Sequence, residues 1–286
     1  MIDQQQLMAL FKEACLCDVQ AFKPGNVSVY NAGHDMTVDD FILSAEESAW
    51  AITNPAYSLG EKIYYAVKAT REAVNCNTNL GILLLAAPVC QAAYQQQQNQ
   101  SLAEALALVL QNTTIEDADW TFKAITLASP GGLGESEDQD VNEPAAVSLL
   151  QAMEIASEKD RIAKQYTTNY KDIFDFAVLR YNDAFVKFDN QAWATSAVFT
   201  GLLSYLPDSH IERKYGDKYS GWVRKQISTV DDALLNTSNP EQLLPMLHDV
   251  DRKFKDKGIN PGTTADLTVA TVLIILMEAL TVRCTS

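Results

Sequence analysis

The sequence predicts an all-α fold, and three observations support this prediction. The chain of 286 residues contains only 12 glycines and nine prolines, which is few for a protein built from many short strands and turns. Alternating strand patterns are nearly absent. Apolar residues recur at helical spacing almost everywhere, beginning with the stripe Leu7, Leu10, Phe11, Ala14 and Cys15. We therefore expect one compact domain over residues 1–286, with roughly a dozen helices.

The predicted helices follow one another with short breaks. Thr37 and Asp40 resemble a capping box at the start of the second helix, and Asn54-Pro55 ends it. The next helices are predicted at about 59–74, 80–98, 101–110 and 117–128. After the longest break, helices are predicted at about 144–166, 170–188, 190–204, 211–226, 240–257 and 263–282. The apolar stretch Leu267–Leu280 contains Thr268, Thr271 and Glu278, which favours a buried helix over a membrane span.

Charge and cysteine usage indicate the partners and the compartment. The 37 acidic and 22 basic residues give a net charge of −15, which would repel nucleic-acid phosphates, so nucleic acid is not expected as a partner. Most of these carboxylates are expected to be solvated, although some could hold Mg²⁺ for a polyphosphate. The five cysteines lack metal-ligand spacing and are interpreted as reduced thiols of a cytoplasmic protein. The N-terminus lacks the basic region of a signal peptide, and no membrane association is expected.

Four segments combine small polar, glycine and charged residues at predicted helix ends. In the first, Lys23 precedes a Pro-Gly turn at Gly25 and Asn26 that would leave backbone amides free to meet a ligand. Lys23 could neutralise a phosphate there. His34 and Asp35 follow just before a helix start, where a base or a metal ligand could lie. An ordinary turn with a capping aspartate would explain the same residues.

The second segment, Asn77-Thr78-Asn79-Leu80-Gly81, opens an apolar helix. Three small polar side chains beside the positive end of the helix dipole favour a phosphate, whereas an ordinary N-cap needs only one of them. The third segment carries Gly131, Gly132 and Gly134, then Glu135, Glu137, Asp138 and Asp140. It has neither the Gly-Lys-Ser/Thr ending of a P-loop nor a preceding strand, so its acidic residues either coordinate Mg²⁺ or are solvated.

The fourth segment is divided between two parts of the chain. His210, Arg213 and Lys214 lie within about one helical turn and form a tight basic group. The run Asn260-Pro261-Gly262-Thr263-Thr264-Ala265-Asp266 is a second Pro-Gly helix start. Thr263 or Thr264 would cap this helix, and Asp266 would interact favourably with its dipole.

Together, these motifs resemble the triphosphoribosyl-dephospho-CoA synthase family. The resemblance runs from Asp18 to about Leu267 and rests on Lys-Pro-Gly-Asn-Val, His-Asp-Met, Asn-Thr-Asn-Leu-Gly, Gly-Gly-Leu-Gly, Asp-Ser-His-Ile-x-Arg-Lys-x-Gly and Asn-Pro-Gly-Thr-Thr-Ala-Asp-Leu. It implies an all-helical enzyme that moves the 5-triphosphoribosyl group of ATP to a ribose hydroxyl of dephospho-CoA and releases adenine. The product would be the precursor of the prosthetic group of citrate lyase and malonate decarboxylase.

The resemblance also suggests roles for the candidate residues. Asp35, Glu135, Asp140 and Asp266 are candidates for Mg²⁺ binding, and one of them, His34 or His210 would act as the base. The sequence does not rank these roles. The substrate-binding candidates are Lys23, Gly25, Asn26, Asn77, Thr78, Asn79, Gly81, Gly132, Arg213, Lys214, Thr263 and Thr264.

One motif departs from the citrate-lyase-associated branch of this family. That branch usually has Asn-Thr-His-Lys-Gly where this chain has Asn77-Thr78-Asn79-Leu80-Gly81, so a cation is missing at the predicted phosphate site. The chain is more similar to the branch found in methanogens and methylotrophs. A pterin precursor of tetrahydromethanopterin-type cofactors is therefore an alternative acceptor. A non-catalytic protein that binds a nucleotide or a cofactor precursor is a second alternative, and a homodimer is left open.

Overall fold

Helices account for nearly all regular structure in the residues that the computed structural model describes, which are 2–30, 36–129, 141 and 143–285. No β-strand occurs in these ranges, and the all-α prediction is confirmed. The first half contains α1 (Gln4–Gln20), α2 (Val38–Ile52), α3 (Leu59–Val74), α4 (Leu80–Gln95), α5 (Leu102–Gln111) and α6 (Ile115–Ala128). The second half contains α7 (Leu149–Ala156), α8 (Arg161–Thr167), α9 (Val178–Phe188), α10 (Gln191–Tyr205), α11 (Ser209–Tyr215), α12 (Ser220–Asn236), α13 (Leu244–Lys255) and α14 (Gly262–Thr285).

Local capping explains why many of these helices begin where they do. Six of them, α1, α2, α3, α5, α6 and α7, start with a complete capping box. In α2, the Thr37 hydroxyl accepts a hydrogen bond from the Asp40 amide at 3.2 Å, and the Asp40 carboxylate accepts one from the Thr37 amide at 2.8 Å. Each box satisfies amides that the helix itself leaves unpaired. The predicted start at Thr37 is therefore confirmed.

Four helices predicted as continuous are interrupted, and the prediction was wrong at these points. The segment predicted at 144–166 divides into α7 and α8, because Asp160 accepts hydrogen bonds from the amides of Ile162 and Ala163 and restarts the helix. A π-helical turn at Ile173–Ala177 precedes α9, and 3₁₀ turns at Gly216–Tyr219 and Pro240–Leu243 precede α12 and α13. Apolar periodicity continues through such short interruptions, so it does not reveal them.

Helix α14 forms the centre of the fold. Its residues Leu267 to Ile274 are buried, and the hydroxyls of Thr268 and Thr271 donate to the backbone carbonyls of Thr264 and Leu267 at 2.8 Å. This is the one helix of the described chain that is long and apolar enough to cross a membrane, over Gly262–Leu280. Since 67% of that window is buried inside the protein, it has the position of a core helix in a soluble protein. The prediction of a buried helix here is confirmed.

The apolar core consists of two clusters. The larger one is built from α1–α10 and α14, and the smaller one from α10–α13 together with Phe22, Ile259 and Ala265. Two polar segments pass along the boundary between these clusters, the loop 22–28 after α1 and the start of α14. Because these two segments pack against both clusters, their polar groups have fixed positions, and the candidate site lies there.

Candidate active site

The first turns of four helices, α4, α8, α11 and α14, meet at the boundary between the two clusters. The amide of Arg161 in α8 donates to the hydroxyl of Ser209 in α11 at 3.1 Å. That hydroxyl lies 3.0 Å from the hydroxyl of Thr263 in α14. Gly81 of α4 approaches α14 so closely that a Cβ added there would lie 2.5 Å from Cγ of Asp266. Helix N-termini carry unpaired amides and partial positive charge, so their convergence favours an anionic ligand.

Asp208 fastens the starts of α11 and α14 together. Its Oδ1 accepts hydrogen bonds from the amides of His210 and Ile211 at 3.0 and 3.1 Å. Its Oδ2 accepts from the amide and the hydroxyl of Thr264 at 2.8 and 2.7 Å. Burial raises the pKa of the Asp208 carboxyl, and these hydrogen bonds to Thr264 and Ile211 oppose that shift. We call this arrangement, Asp208 with Ile211 and Thr264, the Asp208 clamp.

A second set of polar contacts fixes α8 against α11. Arg213 donates to Oδ2 of Asp160 at 2.7 Å, while Oδ1 of Asp160 caps α8. Arg161 lies 3.7 Å from Oδ2 of Asp172, which also accepts from Gln165 at 2.7 Å. Arg213 was predicted to bind substrate, and its guanidinium is here engaged with a carboxylate. Its role toward substrate stays a prediction.

Lys23 lies beneath the site rather than at its surface. Its fully buried ammonium forms an ion pair with Asp18 and donates to Oδ1 of Asn26 at 3.0 Å. Asn26 in turn donates to Oδ1 of Asn260 at 2.8 Å, just before α14. Burial lowers the pKa of Lys23, and the negative charges of Asp18 and Asp266 oppose the shift. Among the described residues this lysine is already neutralised, so its predicted contact with a phosphate would require the pair with Asp18 to open.

Gly25 makes the turn above Lys23 possible. Its φ of +84° lies in the left-handed region, and its amide donates to Oδ1 of Asp251 at 2.9 Å. A Cβ at this position would lie 2.9 Å from the carbonyl oxygen of Ile259. The prediction of a tight turn at Gly25 is correct, and its physical basis is both the dihedral angle and the close approach of the chain before α14.

At the start of α4, the N-cap residue Asn79 does not cap the helix with its own side chain. Thr78 donates to the hydroxyl of Ser44 at 2.6 Å, and Asn79, the N-cap residue, donates to the hydroxyl of Ser48 at 3.4 Å. Instead of Asn79, Asn77 accepts a hydrogen bond from the amide of Leu80 at 3.2 Å. Two serines of α2 thus hold the turn in place and leave the helix start for a ligand. Sequence analysis gave no role to either serine.

Asp266 lies half-buried at the centre of these elements. Its carboxylate forms no hydrogen bond with any other described residue. Burial raises the pKa of Asp266 well above its ordinary value, the negative charges of Asp208 and Asp18 raise it further, and Lys23 opposes the shift. Its ionised form is therefore less favourable here than that of an exposed aspartate.

His210 shows the opposite shift. Its ring lies against the start of α14, where a Cβ added to Gly262 would be 3.5 Å from Nδ1. Burial lowers the pKa of the His210 imidazole below its ordinary value of 6.5; Asp208 opposes the shift, whereas Arg213 and Lys214 add to it. Burial thus favours the uncharged form of both groups, an imidazole and a carboxyl, which are the forms required of a base and an acid.

We call the starts of α4, α8, α11 and α14, together with the loop 22–28, the converging segments. They contain most of the predicted site residues. Lys214 is different, because its exposed ammonium lies over the ring of Tyr215 at 5.1 Å, near Gly258. His34, Asp35, Gly132, Glu135 and Asp140 lie outside the described residues. The predicted residues that the converging segments contain are Lys23, Gly25, Asn26, Asn77, Thr78, Asn79, Gly81, His210, Arg213, Thr263, Thr264 and Asp266.

The described residues provide little of a metal site by themselves. They contain no group of three His, Cys, Asp or Glu residues that could hold a metal ion. Asp160 and Asp208 already use both oxygens in hydrogen bonds, which leaves Asp266 as the carboxylate of the converging segments without a hydrogen bond from a described residue. Mg²⁺ needs only one or two carboxylates when substrate phosphates complete its coordination. The described residues therefore fit a Mg²⁺ ion that enters bound to the nucleotide better than one held by the protein alone.

An all-helical protein in which uncapped helix amides adjoin an acid–base pair belongs to the class of proteins suited to transfer of a phosphorylated group. The sequence then identifies the family to which this protein belongs. The chain belongs to the ATP:dephospho-CoA triphosphoribosyl transferase family, whose model matches residues 4–285, and it is thus a transferase. The predicted resemblance to this family is confirmed.

A solved structure shares the fold. The crystal structure of a protein from Archaeoglobus fulgidus, provisionally described as a triphosphoribosyl-dephospho-CoA synthase, superposes with a TM-score of 0.65. The match covers 82% of this chain and 97% of that chain at 23% sequence identity, a level that supports the fold alone. No curated protein matches the sequence.

Proposed function

We propose that this protein transfers the 5-triphosphoribosyl group of ATP to a hydroxyl of dephospho-CoA and releases adenine. Membership of the family supports the substrates. The observation that carries the proposal is the position of Asp266, a carboxyl without a hydrogen bond from any described residue, between the starts of α4 and α14. An uncapped helix start attracts phosphate, and an available acid beside it suits departure of a nitrogen base.

The donor triphosphate is assigned to the start of α4. Asn79 does not cap this helix, so only the Leu80 amide has a side-chain acceptor among the described residues, and the turn before the helix is fixed by Ser44 and Ser48. Leu80 contributes no charge here, so the backbone must supply the attraction that a lysine would otherwise add. The absence of a side chain at Gly81 allows the Asp266 carboxyl to lie against the helix backbone at this point.

The acid–base pair would carry the displacement. The acceptor oxygen forms a bond to C1′ of the ribose while the bond from C1′ to the adenine nitrogen breaks, and adenine keeps the electron pair. His210, neutral at pH 7, takes the proton from the acceptor hydroxyl, and Asp266 supplies a proton to adenine. The carboxylate of Asp208 favours the positive charge that develops on the ribose. Solvent then restores both protonation states.

Mg²⁺ is proposed as the companion of the triphosphate. When bound, it would neutralise part of the phosphate charge, and Asp266 is the described carboxylate able to reach it in the ionised state. Asp35, Glu135 and Asp140 stay predictions as further ligands. Because burial and the neighbouring negative charges raise the pKa of Asp266, we assign this residue primarily to proton transfer.

The acceptor and the compartment complete the proposal. Leu80 in place of the lysine found in the citrate-lyase-associated branch keeps a pterin precursor as the second candidate acceptor. Cys15, Cys17, Cys76 and Cys90 are free thiols, as expected in the cytoplasm. A homodimer stays a prediction.

Acceptor-dependent release of adenine tests this function. Purified protein is incubated with ATP and Mg²⁺, with and without dephospho-CoA, and free adenine is measured by chromatography. Release only with dephospho-CoA is the expected result. Release only with a pterin precursor would reassign the acceptor, and tight ATP binding without adenine from either mixture would favour a non-catalytic nucleotide-binding protein.

A further inference from the structure

A chain of aromatic rings and lysines continues from the candidate site along α11 and α12. The rings of Tyr215 and Tyr219 are 5.1 Å apart, and those of Tyr219 and Trp222 are 6.4 Å apart. Each ring carries one lysine: Lys214 over Tyr215 at 5.1 Å, Lys218 over Tyr219 at 5.0 Å and Lys257 over Trp222 at 5.4 Å. We call these six residues the lysine–aromatic surface.

The charge of this surface is unusual for so acidic a protein. Ten ion pairs are formed among the described residues, and none of them includes Lys214, Lys218 or Lys257. All three side chains are exposed. Asp217 and Asp256 are their sequence neighbours, yet neither lies within ion-pair distance. The lysines are instead held over rings by cation–π attraction, which fixes three positive charges without neutralising them.

This surface is continuous with the acid–base pair. The Tyr215 hydroxyl donates to the carbonyl of Gly258 at 2.9 Å and thereby joins the end of α11 to the segment that leads into α14. His210 lies in the first turn of α11, and the seven residues of that helix span about 10 Å. A substrate bound along the surface could therefore reach His210 without leaving the protein.

We infer that the lysine–aromatic surface binds the nucleotide diphosphate part of the acceptor, an inference that rests on the proposed function. A diphosphate supplies the anionic groups that three unpaired ammonium groups require, and the half-exposed aromatic rings suit an adjoining base. The surface lies on the His210 side of the start of α14, whereas the uncapped amides of α4 lie on the Asp266 side. The catalytic base, His210, must contact the acceptor hydroxyl. The His210 side is therefore assigned to the acceptor and the α4 side to the donor.

Steady-state kinetics of the double variant Lys218→Ala/Lys257→Ala test the inference. The expected result is a rise of about tenfold or more in KM for dephospho-CoA, with kcat and KM for ATP within about twofold of the wild-type values. Lys225→Ala is the matched control, because Lys225 is an exposed α12 lysine without a ring beneath it, and its KM values should not change. Circular dichroism and thermal unfolding verify that the variants are folded.

Calorimetry with dephospho-CoA in the absence of ATP separates this inference from the reaction. Weaker binding by the double variant than by Lys225→Ala supports the acceptor surface, even if wild-type protein releases no adenine and the proposed reaction fails. An unchanged KM for dephospho-CoA in the double variant, or a rise in KM for ATP instead, would overturn the inference while wild-type adenine release still supports the reaction. Wild-type protein that does not bind dephospho-CoA would overturn both.

Discussion

At the scale of single residues, Asp266 is placed where its charge is unfavourable for stability. Burial and the negative charges of Asp208 and Asp18 raise its pKa, and Lys23 compensates only in part. A carboxyl in such a position costs the folded state free energy whenever it is ionised. Proteins accept this kind of cost where function requires a group with an altered pKa.

Replacing Asp266 should therefore stabilise the folded protein while lowering its rate of adenine release. In the wild type, the pKa of Asp266 is higher in the folded state than the ordinary value of 3.8 in the unfolded state. Between these two pKa values the folded state binds more protons, so the free energy of unfolding falls as the pH rises. The asparagine of Asp266→Asn does not titrate. The free energy of unfolding of this variant should therefore exceed that of the wild type by an amount that grows by up to about 1.4 kcal/mol per pH unit within that window. Urea unfolding at pH 5 and pH 8 measures this difference. An advantage that does not change with pH would show that Asp266 is not perturbed in the folded state.

Gly81 tests the close approach of α4 and α14. In Gly81→Ala, the added Cβ would lie 2.5 Å from Cγ of Asp266 and 2.8 Å from Cδ1 of Ile162. We expect a loss of about 1–3 kcal/mol in the free energy of unfolding, together with reduced adenine release, because Asp266 must move. Gly221→Ala is the control, since nothing lies within 4 Å of its added Cβ, and it should retain wild-type stability or gain up to about 1 kcal/mol. Equal stability of the two variants would contradict the close approach.

At the scale of elements, the Asp208 clamp joins two helices through one side chain. Its four hydrogen bonds come from three amides of α11 and α14 and from the Thr264 hydroxyl, and they satisfy donors at the starts of both helices. Loss of the clamp would therefore loosen both helix starts at once, and with them the positions of His210 and Asp266.

Removing the clamp should cost more than removing a single helix cap. We expect Asp208→Ala to lower the free energy of unfolding by about 3–5 kcal/mol, because several buried donors lose their acceptor. Thr37→Ala, which removes the exposed cap of α2, should cost only about 1 kcal/mol. Denaturant unfolding of both variants provides the comparison. A loss for Asp208→Ala no larger than that for Thr37→Ala would contradict the clamp.

Elements also show which features the sequence could predict. The cap at Thr37 is visible because its partner, Asp40, is three residues away, and helical periodicity is equally local. The clamp joins residues 56 positions apart, and the turn at Asn79 is held by Ser48, 31 positions away. No local pattern reports such distant partners. The pair of Lys23 with Asp18 spans only five residues, but the sequence does not show that both side chains are buried.

At the scale of the whole molecule, α14 connects the core to the chemistry. Its first turn belongs to the smaller cluster through Ala265, and its middle, from Leu267 to Ile274, lies in the larger one. The chain as a whole is acidic, with a net charge of −15, yet its converging helix starts and the lysine–aromatic surface offer local positive potential. Anionic substrates are thereby favoured at one boundary of a protein that otherwise repels them.

The pH dependence of kcat/KM for adenine release tests the acid–base assignment most directly. For the wild type we predict a bell-shaped profile, with an acidic limb below about 6.5 from His210 and a basic limb from Asp266. His210→Gln should abolish the acidic limb and Asp266→Asn the basic limb, each with a loss of about 10²–10⁴ in rate while ATP still binds. Wild-type rate and an unchanged profile in either variant would contradict the assignment.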